Sequence, residues 1–219
     1  MPHHLLDAAD NIGPRPECQR ALRRRLPRQQ RSNNTVSLIL QAAEELFSSK
    51  GFKNTKSEDI VRRAGFGIAS LYDYFPNKIS IAHALLEIKS IEITEEAEKI
   101  FAKASNEPIE ISLPRIAREL FYCYRSNRWI FVNLVNEVPE LRESVNLYSI
   151  DKLIYKSSLN YLRLYETELG SRRLSVSHEF LNFLFASTVR EYLSSAEHQM
   201  DDETFIKHLS IAVLAYVTY

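Results

Sequence analysis

The chain has 219 residues, 45% hydrophobic and 26% charged, enough for a packed core in one domain of moderate size or two smaller ones. Its two cysteines, Cys18 and Cys123, exclude a disulfide framework and a CxxC metal site and fit a reducing compartment. The formal net charge is zero but unevenly spread: residues 1–80 carry thirteen Lys/Arg against eight Asp/Glu, and residues 81–219 carry fifteen against twenty. A basic N-terminal part on an acidic remainder points to one end meeting a polyanion.

Five glycines and long proline-free stretches favour helices over a loop-rich β protein. No apolar stretch follows Met1, so a signal peptide is not expected. The longest apolar run, near Leu209–Tyr219, is too short to span a bilayer. A cytoplasmic, all-α protein is expected.

In chain order, residues 1–32 show no apolar periodicity. They combine four prolines with seven arginines between Arg15 and Arg31, and read as a flexible basic arm. Arg28 and Arg31 lie just before the first helix, where a basic arm can reach phosphates or a minor groove. Asn34–Lys50 repeats Val36, Ile39, Leu40, Ala43, Leu46 and Phe47 at helical spacing, and Gly51 ends it. Thr55-Lys56-Ser57-Glu58 has the pattern of a capping box and predicts a helix over Ser57–Ala64. Gly65-Phe66-Gly67 supplies a tight turn. A short helix follows over Ile68–Phe75, anchored by Leu71 and Phe75 and stopped by Pro76. Two short helices around a glycine-containing turn form a helix-turn-helix, which places its second helix in a major groove. Residues 33–80 are therefore expected to form a DNA-binding domain.

Residues 81–219 are expected to form a helical body. The fourth helix starts at a cap on Asn77 and runs to about Lys103. Further helices are expected at Pro108–Ser126, Arg128–Glu137, Glu140–Leu169, Val176–Gln199 and Asp202–Thr218, separated by Pro and Gly breaks. The last two are apolar on more than one face and so must be buried on more than one face.

Residues Gly51–Lys78 resemble the DNA-binding domain of the TetR/AcrR family of bacterial transcriptional regulators. The carrying residues are Gly51-Phe52, Thr55, Asp59-Ile60, Arg63-Ala64-Gly65 and the run Leu71-Tyr72-Asp73-Tyr74-Phe75-Pro76-Asn77-Lys78. The likeness covers roughly residues 33–85. Ser57 stands where the family usually has an apolar residue, and Asp73 where Gln or His is common. The resemblance implies a homodimer on a two-half-site operator, paired through the last two helices. It also implies a small-molecule effector, bound in the body, that releases a repressor from its operator.

On this resemblance Tyr72 is expected to contact DNA, and Tyr74 beside it is a weaker candidate. Ile68, Ala69 and Ser70 are the candidates to meet base edges. Thr55 and Lys56 are placed for phosphate-backbone contacts, as is Lys78 near the start of the fourth helix. In the body, Phe121, Tyr122, Tyr124, Trp129 and Tyr155 are the candidates to line an effector cavity, with core filling as the alternative for each. Arg118, Arg125 and Arg128 are placed to meet an anionic effector or to be solvated. No metal site or cofactor is expected. His178-Glu179-Phe180-Leu181-Asn182 begins like a zinc HExxH motif but has Asn where the second His is required. With no phosphate loop or nucleophile elbow either, an enzyme is the weakest reading. A DNA-binding protein without effector control is the stronger alternative.

Overall fold

The computed structural model describes residues 30–141, 145–169, 171–195 and 200–218, with backbone alone at 30–33, 145–149, 151, 168 and 171–177. The described residues are helical throughout, without a strand. Eight longer helices are α1 (Gln30–Lys50), α2 (Ser57–Ala64), α3 (Ile68–Tyr74), α4 (Lys78–Ala104), α5 (Ile109–Ser126), α6 (Val145–Arg163), α7 (Ser171–Ser194) and α8 (Asp202–Thr218). A π-helical stretch, Trp129–Leu134, and its α-helical continuation Val135–Glu137 stand between α5 and α6. Helix α1 begins four residues before the expected Asn34. The helix expected over Glu140–Leu169 is instead a 3₁₀ turn at Pro139–Leu141, then α6, then a short helical turn at Glu166–Leu169.

The chain divides into two compact units: a head with residues up to Ser49 and Asn54–Leu85, and a body with Lys50–Lys53 and Leu86–Tyr219. The core of the head is one apolar stripe from each helix. Ile39, Ala43 and Phe47 of α1, Ile60 of α2, Leu71 and Phe75, and Ile81 of α4 are all at most 1% exposed. This is the i, i+4 and i, i+8 repeat read along α1.

Helix α2 starts differently from the expected Thr55–Glu58 box. Lys56 is the N-cap, and the Asp59 carboxylate accepts its backbone N–H at 3.2 Å. Thr55 is fully buried, and its hydroxyl donates to the Leu46 carbonyl at 3.4 Å. Acidic Glu58 and Asp59 open α2 while Arg62 and Arg63 close it, each set matching its end of the helix dipole. Gly65 then takes a left-handed conformation (φ 78°), and the Phe66 N–H closes on the Val61 carbonyl at 2.9 Å. The expected cap at Asn77 is present: its side-chain oxygen accepts the Ser80 N–H at 2.8 Å and starts α4.

In the body α5 packs along α8, and α7 packs on α6 and α8. Aromatic rings fill much of this core. Tyr124 stacks on Phe131 (centroids 4.4 Å apart), Tyr192 stacks on Phe205 (3.9 Å), and Phe121 meets both Tyr192 and Phe205. Outside the core an ionic cluster ties α5 to the start of α8. Arg118 grips Glu203 with two hydrogen bonds of 2.7 and 2.6 Å, Tyr122 donates to the same carboxylate, and Arg125 pairs with Asp202. These bonds hold Glu203 below the usual carboxylate range, through Arg118 first and then Tyr122. Asp201 caps α8 by accepting the Thr204 N–H at 2.7 Å. Also within the body unit, Gly51 has φ 82°, and the Glu137 carboxylate accepts the adjacent Lys53 N–H at 2.6 Å. No helix among the described residues is long and apolar enough to cross a membrane.

Candidate nucleic-acid interface

Helix α3 is only seven residues long, too short to persist alone, and its orientation is set by Leu71 and Phe75. Both side chains are fully buried in the head, so the opposite side of the helix must face outward. There the chain presents Ile68 (38% exposed), Ala69, Tyr72 (38% exposed) and Asp73, with Ser70 and Tyr74 half-buried at the margins. This is a surface of short and apolar side chains flanked by one aromatic ring, without a cation of its own. It can meet thymine methyls and base edges by shape, but it has no Arg or Lys to clamp guanine.

Of the expected backbone-contact residues, Lys56 is exposed. Lys78 is half-buried, and its ammonium donates to the Thr55 carbonyl at 2.7 Å, tying the loop before α2 to the start of α4. Thr55 is completely buried, its hydroxyl donating to the Leu46 carbonyl, so its side chain offers no surface to a phosphate. Arg28 lies outside the described residues, and the side chain of Arg31 does too, although its backbone already belongs to α1. Arg63 is engaged with Glu45 at 2.6 Å and Arg62 with Asp59 at 3.4 Å, so the basic end of α2 is partly neutralised within the head.

Residues 39–85 match the family model for bacterial regulatory proteins of the tetR family. The match covers the head, which is similar to the DNA-binding domain of that family. Structures of similar fold extend the likeness over the body. A Mesorhizobium loti protein assigned to the TetR family is 19% identical, with a TM-score of 0.68 over 86% of this chain and 97% of its own. A TetR-family transcriptional regulator from Streptomyces coelicolor is 20% identical, with a TM-score of 0.68 over 84% and 80%. The TetR-family regulator PfmR from Thermus thermophilus is 20% identical, with a TM-score of 0.57 over 81% and 97%. At these identities the likeness is one of fold. No curated protein matches the chain in sequence.

In the body, the five aromatic residues expected to line a cavity differ in their surroundings. Phe121, Tyr124 and Trp129 are buried among other side chains as core. Tyr122 is exposed, donates to Glu203 and borders an open surface groove of about 430 Å³. Tyr155 is half-buried with its ring 4.2 Å from that of His178. Neighbouring positions on α5 point to different sides, and rings this large are equally suited to filling volume. Arg118, Arg125 and Arg128 are likewise engaged, the last donating to the Leu193 carbonyl at 2.6 Å.

Among the described residues a small space of about 50 Å³ lies elsewhere in the body. Phe101, Leu113, Ile116, Leu120 and Phe185 are among its apolar walls, and Ser158 and Asn182 are its polar groups. Those two groups form a trio with buried His178, Ser158 being buried too and Asn182 half-buried. Ser158 Oγ lies 2.7 Å from His178 Nε2, and the Asn182 side-chain amide donates to Nε2 at 2.8 Å and to the His178 carbonyl at 2.9 Å. Accepting at Nε2 puts the imidazole proton on Nδ1, which is buried without a hydrogen-bond partner. Burial, reinforced by Arg163, pushes the His178 pKa down to about 4, so the ring is neutral at physiological pH. The i, i+4 spacing of His178 and Asn182 was visible in the near-miss HExxH. What it serves is a polar pair within the body. Among the described residues no group of three or more His, Cys, Asp or Glu is arranged to hold a metal.

Proposed function

We propose that the protein is a homodimeric, cytoplasmic repressor that reads a two-half-site operator with α3 and leaves it when a small apolar or aromatic ligand enters the body. The observation that carries the DNA-reading part is the division of α3, with Leu71 and Phe75 buried and Ile68, Ala69 and Tyr72 exposed on one helix. In this reading Ile68, Ala69 and Ser70 meet base edges, Tyr72 and Tyr74 contact bases or sugar-phosphate, and Lys56, Lys78 and the arm with Arg28 and Arg31 neutralise phosphates.

Dimerisation is supported by the surface of α7 and α8. Phe180 and Phe183 are 50% and 69% exposed, Ile211 is 55% exposed, and the Phe180 ring lies 5.2 Å from that of Tyr216. Apolar side chains of this size, clustered on adjacent helices, are suited to a self-complementary two-fold contact. In this reading the effector site is the Ser158–Asn182 cavity, which must widen to reach the roughly 300–1,000 Å³ typical of a small-molecule pocket. Helix packing around one small void is the natural place for such widening. Selection of bound sequences from a random DNA library tests the reading. An enriched palindromic motif bound by a dimer is expected. Recovery of DNA without a consensus would overturn sequence-specific regulation and favour an architectural DNA-binding role.

A further inference from the structure

Asp73 takes no part in the proposed operator contacts, yet its position is the most outward on α3. Two residues on from buried Leu71, it is rotated by about 200° and faces almost directly away from the core of the head. It is exposed, and no hydrogen bond or ion pair engages it among the described residues. One turn earlier, on the same outward line, stands Ala69. The centre line of the exposed face is thus occupied by its two short side chains, while the bulk of Ile68 and Tyr72 stands to one side. A helix with a short centre line can approach a groove floor closely.

A carboxylate brought that near DNA is repelled by phosphates and by the acceptor edges of bases. Guanine presents O6 and N7 in the major groove, and thymine presents O4, all acceptors. Cytosine presents the N4 amino donor, and adenine presents its N6 amino donor beside the N7 acceptor. An ionised carboxylate therefore finds its best partner in cytosine, since adenine adds an acceptor next to the donor.

On the basis of the proposed DNA reading by α3, we infer that Asp73 is a specificity-determining residue that accepts a hydrogen bond from cytosine N4 at one fixed position of each operator half-site. Asp73 favours one base by attraction and excludes guanine and thymine by repulsion. It supplies the polar discrimination that the apolar Ile68 and Ala69 lack. Removing it relaxes the choice of base and, because a negative charge leaves the interface, tightens binding to unrelated DNA.

The test is random-library selection with the full-length wild type and the Asp73→Ala and Asp73→Asn variants, followed by titration of the selected operator and its single-base substitutions at fixed salt. The expected wild-type motif holds one cytosine per half-site, and replacing it by guanine weakens binding ten-fold or more. Asp73→Ala loses preference at that position, keeps the rest of the motif, and binds unrelated DNA more tightly. Asp73→Asn, which can donate as well as accept, is expected to shift the preference toward adenine. An Asp73→Ala motif identical to the wild type overturns the inference while leaving operator recognition intact. Failure of the wild type to select any motif refutes the underlying DNA reading itself. Helix content and melting temperature of both variants should match the wild type, because Asp73 has no partner to lose.

Discussion

Leu71 and Tyr72 are adjacent, of similar apolar character, and predicted to fail in opposite ways. Leu71 has no exposed surface in the head. Truncation to Ala removes three carbons, worth about 2.4 kcal/mol at about 0.8 kcal/mol per buried carbon. Incomplete collapse around the void raises the total to roughly 3–4 kcal/mol. A head of about fifty residues is stabilised by on the order of 3–7 kcal/mol, so Leu71→Ala removes most of its stability. Tyr72 is 38% exposed, and Tyr72→Ala is expected to destabilise by only about 1 kcal/mol. It should nevertheless weaken operator binding ten-fold or more by removing the ring from the contact surface. The only tryptophan, Trp129, lies in the body, so intrinsic fluorescence would miss a change confined to the head. Hydrogen exchange of peptides covering residues 57–75, with operator binding by fluorescence anisotropy, separates the two variants. Equal loss of exchange protection in both, or less than about 1 kcal/mol in Leu71→Ala, would refute the division of α3 into core and contact faces.

Deleting residues 1–29, which leaves α1 whole and removes six arginines, should flatten the dependence of log K on log salt by about 0.9 for each phosphate that the arm neutralises; an unchanged slope means the arm neutralises none. Gly65→Ala should cost about 1 kcal/mol for its positive φ alone, since a Cβ there meets nothing within 4 Å. Gly51→Ala should cost more, because its Cβ would lie 2.8 Å from the Glu137 carboxylate that holds the Lys53 N–H. Glu137→Ala should remove that excess in a double-mutant cycle measured by urea denaturation, and a cost for Gly51→Ala no greater than for Gly65→Ala would dismiss the clash. The pKa of His178 is lowered on folding, so its neutral form stabilises the body fully above about pH 6.5. That contribution, on the order of 2–3 kcal/mol, is lost as pH falls from about 6.5 toward 4. His178→Leu should abolish this part of the pH profile of unfolding, and a variant retaining the full slope would assign it to other groups.

The head was legible in the sequence because its structure is local. The 3.6-residue repeat of Ile39, Ala43 and Phe47, the glycine at position 65, the cap at Asn77 and the Leu71–Phe75 pair each act within one or two helical turns. Such signals survive without knowledge of distant neighbours. The Thr55 cap failed for the same reason in reverse. The T-x-x-E pattern is a local signal, but Thr55 is enclosed by α1, nine residues away at Leu46, and the cap moved on to Lys56 and Asp59.

The sequence by itself determined an all-α chain, the limits of α2 and α8, and which side of α3 is buried. The tertiary structure alone decided where the body keeps its space. Phe121, Tyr124 and Trp129 are buried, while a small cavity formed between apolar walls that include Phe101 and Phe185, beside Ser158 and Asn182. Periodicity tells a helix which face to bury, but a void is what remains after several such faces have packed, and it has no signature in any one of them.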